Sequence, residues 1–323
     1  MKVSIIIRAF NEDKYLDRLL QGVDAQVYDS DVEVILVDSG STDNTISIAE
    51  KYNVTIVSIK PEEFTFGYAL NVGCRIASGD VFLFASAHVY PLYNNWIEQM
   101  IYPFNKDEEV VCVYGKQVGD ERSKFSEKEL FKSWFPDNSN FNQSHPFSNN
   151  ANCAILKEAW KKNQYDESLT GLEDLHWAKS MLNQNKKIAY NHRATIVHVH
   201  EEGYKNILNR YRREAITLKL IYPEMKNSLL KSLQLFWKSI ISDLSAAIKE
   251  KVYFKCFIEI ILFRYCQIYG AHLGFNDVEC EVTRELRKKF YYPANYFKNS
   301  NNSELKNDEL LKQRIVYDRE YSD

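Results

Sequence analysis

The chain has 323 residues, 26% charged and 45% hydrophobic, with a net charge of −3: material for one large globular domain or two, without the basic excess of a general nucleic-acid binder. No two of its six cysteines have the Cys-x-x-Cys spacing, which argues against a zinc ribbon or redox pair and reads as reduced, cytoplasmic core residues. The opening apolar run is cut by Arg8, too early for a signal peptide, and no uncharged apolar run reaches the roughly 18 residues of a spanning helix.

Residues 3–7 are a β-branched run that predicts a strand, followed by the polar tip Arg8, Asn11 and Glu12. A helix is expected over 13–21, with Asn11 as its N-cap. Residues 32–37 predict a second strand, ending in Asp38-Ser39-Gly40-Ser41 and Asp43. Asp38 can accept a hydrogen bond from a pyrimidine base or a ribose hydroxyl, and Asp43 suits helix capping equally well. A strand over 54–59 and a helix over 69–77 follow. Residues 81–85 are then a short apolar run after a Gly79-Asp80 turn, as in a strand buried on both faces. It turns polar at Ser86 and His88 and stops at Pro91. This alternation predicts a mixed, mostly parallel α/β sheet flanked by helices, with polar strand tips converging on one crevice.

Three stretches carry a resemblance: residues 4–12 (Ser-Ile-Ile-Ile-Arg-Ala-Phe-Asn-Glu), 37–43 (Val-Asp-Ser-Gly-Ser-Thr-Asp) and 67–73 (Gly-Tyr-Ala-Leu-Asn-Val-Gly). In this order and spacing they resemble the family 2 glycosyltransferases of the GT-A fold, over roughly residues 2–220. The resemblance implies an inverting transfer from a nucleotide-diphosphate sugar. Asp38 and Ser39 would hold the nucleotide, Arg8, Asn11 and Glu12 would line its pocket, and Asn71 would stand near the donor. The family usually carries an Asp-x-Asp-type motif at the central strand tip, where this chain has Ser86-Ala87-His88, as in a branch associated with bacterial surface polysaccharides. A divalent ion, Mn²⁺ or Mg²⁺, is implied by the family, but imidazole favours softer metals than carboxylate does.

Residues 116–150 read as a long polar loop or short-helix region, a candidate lid. Residues 147–155 resemble the family's strand between donor sugar and acceptor, with Asn150 and Asn152 as sugar-binding candidates, although asparagine clusters also simply make turns. Residues 171–178 start a helix with Glu173 and Asp174 in its first turn. The resemblance makes Asp174 the base that deprotonates the acceptor, with Glu173 beside it; acidic residues also favour helix starts electrostatically. Alternation along 194–201 puts His198 and His200 on one strand face. His198 is expected to join His88 as a metal or pyrophosphate ligand, with His200 its rival. The basic run Arg210-Tyr-Arg-Arg213 suits a diphosphate or an anionic lipid surface.

Two apolar helical patterns, over 229–248 and 252–273, form a helical extension that is either membrane-peripheral or a dimer interface. The expected domains are a catalytic unit at 1–222, the extension at 223–298 and a polar tail at 299–323. The favoured function is a hexosyltransferase using a UDP- or dTDP-sugar and a glycan or lipid-linked acceptor, in the cytoplasm or at the inner membrane face. The competing reading is a catalytically silent nucleotide- or glycan-binding scaffold of a polysaccharide synthase.

Overall fold

The structure, a computed structural model, describes residues 1–277; the rest of the expected extension and the polar tail lie outside the described residues. Eight strands form one sheet: β1 (Val3–Ala9), β2 (Val32–Asp38), β3 (Val54–Ser58), β4 (Val81–Ser86), β5 (Val89–Pro91), β6 (Val110–Val118), β7 (Asn152–Leu156) and β8 (Lys187–His198). Their order is β3-β2-β1-β4-β7-β6-β8-β5. β3, β2, β1 and β4 run parallel, β7 is antiparallel to both neighbours, β6 and β8 are parallel, and β5 closes the edge antiparallel to β8. The sheet is therefore mixed and mostly parallel. The strand order reverses direction at β1 and β4, the switch point outside which α/β sheets bind ligands.

The apolar strands are continuous because helices cover both faces. Ile5, Ile7, Leu83 and Ala85 point to one core with Leu16, Leu19 and Trp96, while Ile6, Phe82 and Phe84 point to the other with Trp160 and Trp177. The helices before the end of β8 are α1 (Leu16–Asp24), α2 (Thr45–Ala49), α3 (Phe66–Ile76), α4 (Trp96–Lys106), α5 (Phe125–Trp134), α6 (Lys157–Lys162) and α7 (Glu173–Asn183). After β8 come α8 (Tyr204–Ile221), α9 (Leu229–Lys249) and α10 (Tyr253–Phe275). α8 lies along α10, and Gly270 sits against the Leu208 carbonyl, where a Cβ would collide with backbone.

Several sequence expectations shift. The first helix begins at Leu16, not residue 13, and its N-cap position is Tyr15. Asn11 instead adopts a left-handed φ of 54° and turns the chain. The region after 116 is only partly loop: β6 extends to Val118 and α5 follows. On α9 the buried face is Ser232, Ile240, Asp243 and Ala247, while Leu229, Leu233 and Ile248 of the apolar pattern are exposed. The described cysteines are all free thiols, and Cys112 and Cys153 meet across β6 and β7 at 3.5 Å between sulfurs. No described helix is long and apolar enough to cross a membrane.

Candidate active site

The loops leaving β1 and β2 are tied together at their tips. Asn11 Oδ1 accepts from the Thr42 backbone N–H at 2.8 Å, and the Asn11 N–H donates to Ser41 Oγ at 2.9 Å. Asp38 is 4% exposed and accepts from the Gly40 and Ser41 N–H groups, so it folds its own turn. The Ser39 N–H and hydroxyl both donate to the Ala9 carbonyl. Asp43 accepts from the Thr45 and Asp13 N–H groups, which settles it as a structural cap. Ser86 pairs in register with Arg8 at the neighbouring strand end.

Two expected contact residues are corrected to frame positions. Asn71 is 1% exposed: its amide donates to the Tyr165 carbonyl and Glu167 and accepts from Trp160 and the Tyr165 N–H, leaving no polar capacity for a donor. Asn152 is fully buried and bonds Trp96 and the Lys116 and Ala194 carbonyls. Asn150, also buried, turns toward the acidic pair. Its side chain donates to Glu173 at 3.1 Å and its N–H to Asp174 Oδ2 at 3.1 Å, while Tyr165 donates to its oxygen.

That acidic pair begins α7 after Leu172, whose left-handed φ of 53° breaks the chain direction. Glu173 is buried and meets Arg8 at 3.3 Å. Asp174 is half-buried, and its Oδ1 accepts from the Leu175 N–H at 2.7 Å. Burial and the neighbouring Glu173 charge push the Asp174 carboxyl up to about 7, against the pull of those N–H groups and of Arg8. Arg8 also lies over Phe66 at 4.7 Å, with Arg213 over the same ring at 5.0 Å. Arg8 pairs in register with Ser86 and meets Glu173, so it links the acidic pair to the β4 tip.

His88 lies in the short link between β4 and β5, with Nδ1 at 2.7 Å from Glu12 Oε1. Burial disfavours its charge, but Glu12 and then Glu202 outweigh burial and raise its pKa. The Val89–His198 register and the Val199 N–H to His88 carbonyl bond bring β8's end alongside. His88 stacks on His198 at 5.1 Å between ring centres, and the Nε2 atoms of His198 and His200 are 2.8 Å apart. One ring nitrogen from each of the three lies within 4.8 Å of the others, so His198 and its rival His200 are both present. Glu127 on α5 accepts from Arg210 at 2.7 Å and pairs with His200. Those charges outweigh burial and hold its carboxyl down at about 2. Arg210 also pairs with Glu202 at 2.8 Å, so it turns into the site and not toward a lipid surface. A separate cavity of about 510 Å³ beside β8, lined by Tyr93, Lys116, Asp137, His192 and Arg193 among others, contains none of these residues.

Residues 4–163 match the family described as Glycosyl transferase family 2. The chain belongs to this family. The O-antigen chain rhamnosyltransferase RfbN of Salmonella typhimurium is 24% identical over 65% of this chain and 70% of its own length. The uncharacterized glycosyltransferase RT0329 of Rickettsia typhi is 34% identical over 42% of this chain, which spans 45% of that relative. The solved structure of the mannosyltransferase PcManGT from Pyrobaculum calidifontis, in complex with GDP-Man and Mn²⁺, shares the GT-A fold: TM-score 0.60, 18% identity, 86% of this chain and 88% of that one. In this family 2 glycosyltransferase, the sequence reading missed Gln117, Glu127 and Glu202. Glu127 lies in a stretch that reads as a polar loop or short-helix region, and only a tertiary contact reveals that it is buried.

Proposed function

We propose that the chain is an inverting glycosyltransferase. It would move a hexosyl group from a UDP- or dTDP-sugar to a hydroxyl of a glycan or lipid-linked acceptor in bacterial surface-polysaccharide assembly. What carries this reading is Asp174: a carboxylate at the carboxyl edge of the sheet, held by two N–H groups and raised into the range of a general base. The O-antigen relative supports the surface-polysaccharide setting.

In the proposed step Asp174 takes the acceptor hydroxyl proton. The oxygen attacks the anomeric carbon from the side opposite the diphosphate, and the carbon–oxygen bond to the diphosphate breaks with its electron pair. The Asp38–Ser41 turn and Asn11 line the nucleotide, and Ser86 stands at the diphosphate. Arg8 and, when no ion is bound, a protonated His88 offset the leaving-group charge, in a crevice walled by Phe66 and Arg213. A divalent ion held by His88 and His198 would add Lewis-acid charge there. The nucleotide is tested by thermal shift against UDP, dTDP, GDP and CMP. A pyrimidine diphosphate at 100-fold over its Kd should stabilise the fold by about 2.7 kcal/mol. No shift with any of the four overturns the donor reading.

The acceptor end involves the last two helices. α9 exposes Leu230, Leu233, Trp237 and Ile241, α10 exposes Phe254, Ile258, Leu262 and Tyr265, and Lys231, Lys238 and Lys255 are exposed among them. Apolar stripes studded with lysine complement an anionic bilayer surface. The full chain should sediment with phosphatidylglycerol vesicles and not with phosphatidylcholine, and the Trp237→Glu/Ile241→Glu variant should lose at least tenfold. A variant that still sediments overturns this, as does a wild-type dimer that the same variant dissociates.

A further inference from the structure

Between Gly115 and Gln117 the pairing of β6 with β8 slips. Gly115 pairs with Asn191 and Gln117 with Ile196, so residues 192–195 of β8 are extra and bulge off the sheet. The bulge is fixed from within: Thr195 Oγ1 donates to the His192 carbonyl at 2.8 Å and the Arg193 N–H to Asn191 Oδ1 at 3.2 Å. The Ala194 carbonyl lies where a Cβ on residue 115 would be, so glycine alone admits this approach. Side chains alternate along β6: Gln117 reaches His198 at 2.7 Å, and Lys116 turns to the other face, toward the bulge. The edge of β8 is covered by β5 from Ile196 onward and by the Asn140 bridge at Tyr190. The bulge lies between those covers, and the cavity of about 510 Å³ opens there.

The wall beyond the bulge is fixed backbone carrying unused side chains. The Tyr93 carbonyl accepts from Gln26 Nε2 at 3.0 Å, the Asn94 carbonyl accepts from the Val27 N–H at 2.7 Å, and the Leu92 N–H donates to the Thr195 carbonyl at 3.1 Å. Yet the side chains of Tyr93, Asn94 and Asn95 make no hydrogen bond or ring contact among the described residues, and Tyr93 is 58% exposed. Arg193 is exposed and forms no ion pair among the described residues, while Lys116 takes the Asp137 carboxylate. An aromatic plate, two amides and a spare guanidinium thus line one polar cavity. A ring of vicinal hydroxyls matches that set: each amide both donates and accepts, and the apolar C–H face of a sugar covers a tyrosine ring. The guanidinium adds a planar fork for a carboxylate. We propose that this cavity is a saccharide subsite for a carboxylate-bearing sugar unit, with Tyr93 under the ring, Asn94 and Asn95 on its hydroxyls and Arg193 on its carboxylate. A small inorganic anion would use Arg193 and leave the ring and the amides without work. Thr195 precedes His198 by three residues, about 10 Å of strand, so a glycan seated here lies alongside the reaction crevice and not in it. Its task of holding a remote unit of the acceptor glycan rests on the transferase reading; binding of the acidic sugar does not.

The test is a calorimetric titration of the full-length protein with a tetrasaccharide of alternating glucuronic acid and N-acetylglucosamine, beside the neutral tetrasaccharide of N-acetylglucosamine. The acidic sugar is expected to bind once per chain and about tenfold more tightly than the neutral one, the worth of a charge-assisted pair. Arg193→Gln should abolish that preference, and Arg193→Lys, which keeps the charge and loses the fork, should retain only part of it. Tyr93→Ala should weaken both sugars by about fivefold or more. Both positions are exposed, so every variant should melt like wild type. No binding, equal binding of the two sugars, unchanged affinity in the Arg193→Gln and Tyr93→Ala variants, or displacement of the acidic sugar by an equal concentration of inorganic phosphate overturns the proposal. The UDP thermal shift is read in parallel and should be the same in the variants as in wild type. Sugar binding with no UDP response sinks the transferase reading alone, and UDP response with no sugar binding sinks this site alone.

Discussion

Asp174→Asn is expected to lower transfer by about 10²–10⁴-fold while leaving nucleotide binding unchanged, because the change removes the proton acceptor and keeps the shape. In the wild type the rate should rise with pH up to about 7 and level off above it, since only the ionised carboxyl can take a proton. A second readout does not depend on substrate. Burial and Glu173 raise the folded-state pKa of Asp174 above its value in the unfolded chain, so its contribution to stability is present at low pH and is lost as pH rises through about 7. Asparagine carries no charge to bury. The melting temperature of the variant, relative to wild type, should therefore climb between about pH 4 and pH 7 and level off above that. Wild-type turnover by the variant, or a rate profile flat across that range, removes Asp174 from the chemistry. No turnover by the wild type with any donor would instead revive the silent-scaffold reading.

Asp243→Ala should destabilise the fold by about 3–5 kcal/mol, the cost of leaving a buried guanidinium without its partner. Asp243 on α9 is 2% exposed and Arg264 on α10 is 5% exposed, joined by two bonds of 2.7 Å. The Ser126 hydroxyl of α5 donates to the same carboxylate at 2.6 Å, and Arg264 also donates to Gln267. One carboxylate thus pins both extension helices to α5, the helix that supplies Glu127 to the histidine cluster. Calorimetry should show a fall in melting temperature of several degrees. Asp243→Leu with Arg264→Met should recover much of it, because a buried pair replaced by apolar groups of similar volume costs little. Recovery should be incomplete, since Ser126 and Gln267 keep polar groups with no partner. A single variant melting within a degree of wild type would show that the pair is not the pin.

The crevice was legible where its polar residues sit at a strand end within a local motif. Arg8, Asp38, Ser86 and His88 each follow an apolar run, and Glu173 and Asp174 open a helix, so pattern and punctuation locate them. Asn71 and Asn152 show where that logic stops: each lies in or beside a motif, yet each spends its amide inside the frame. A polar residue in a motif reads the same whether it faces a ligand or a buried carbonyl. Gln117 and Glu127 carry no local signal, because what defines them is a neighbour 70 or more residues away in sequence, and Glu202 is defined by the Arg210 guanidinium that α8 folds back to it.

By itself the sequence determined the strands, the helices and the polar edge of this protein, because period, β-branching and turn residues act over a few positions. Which rings meet was decided only in three dimensions. Alternation alone put His198 and His200 on one face, but His88 joins them through the antiparallel pairing of β5 with β8, a long-range register that no local pattern encodes. The tertiary structure likewise decided which face of α9 is buried: Ser232, Ile240, Asp243 and Ala247 turn inward, with Asp243 paired to Arg264.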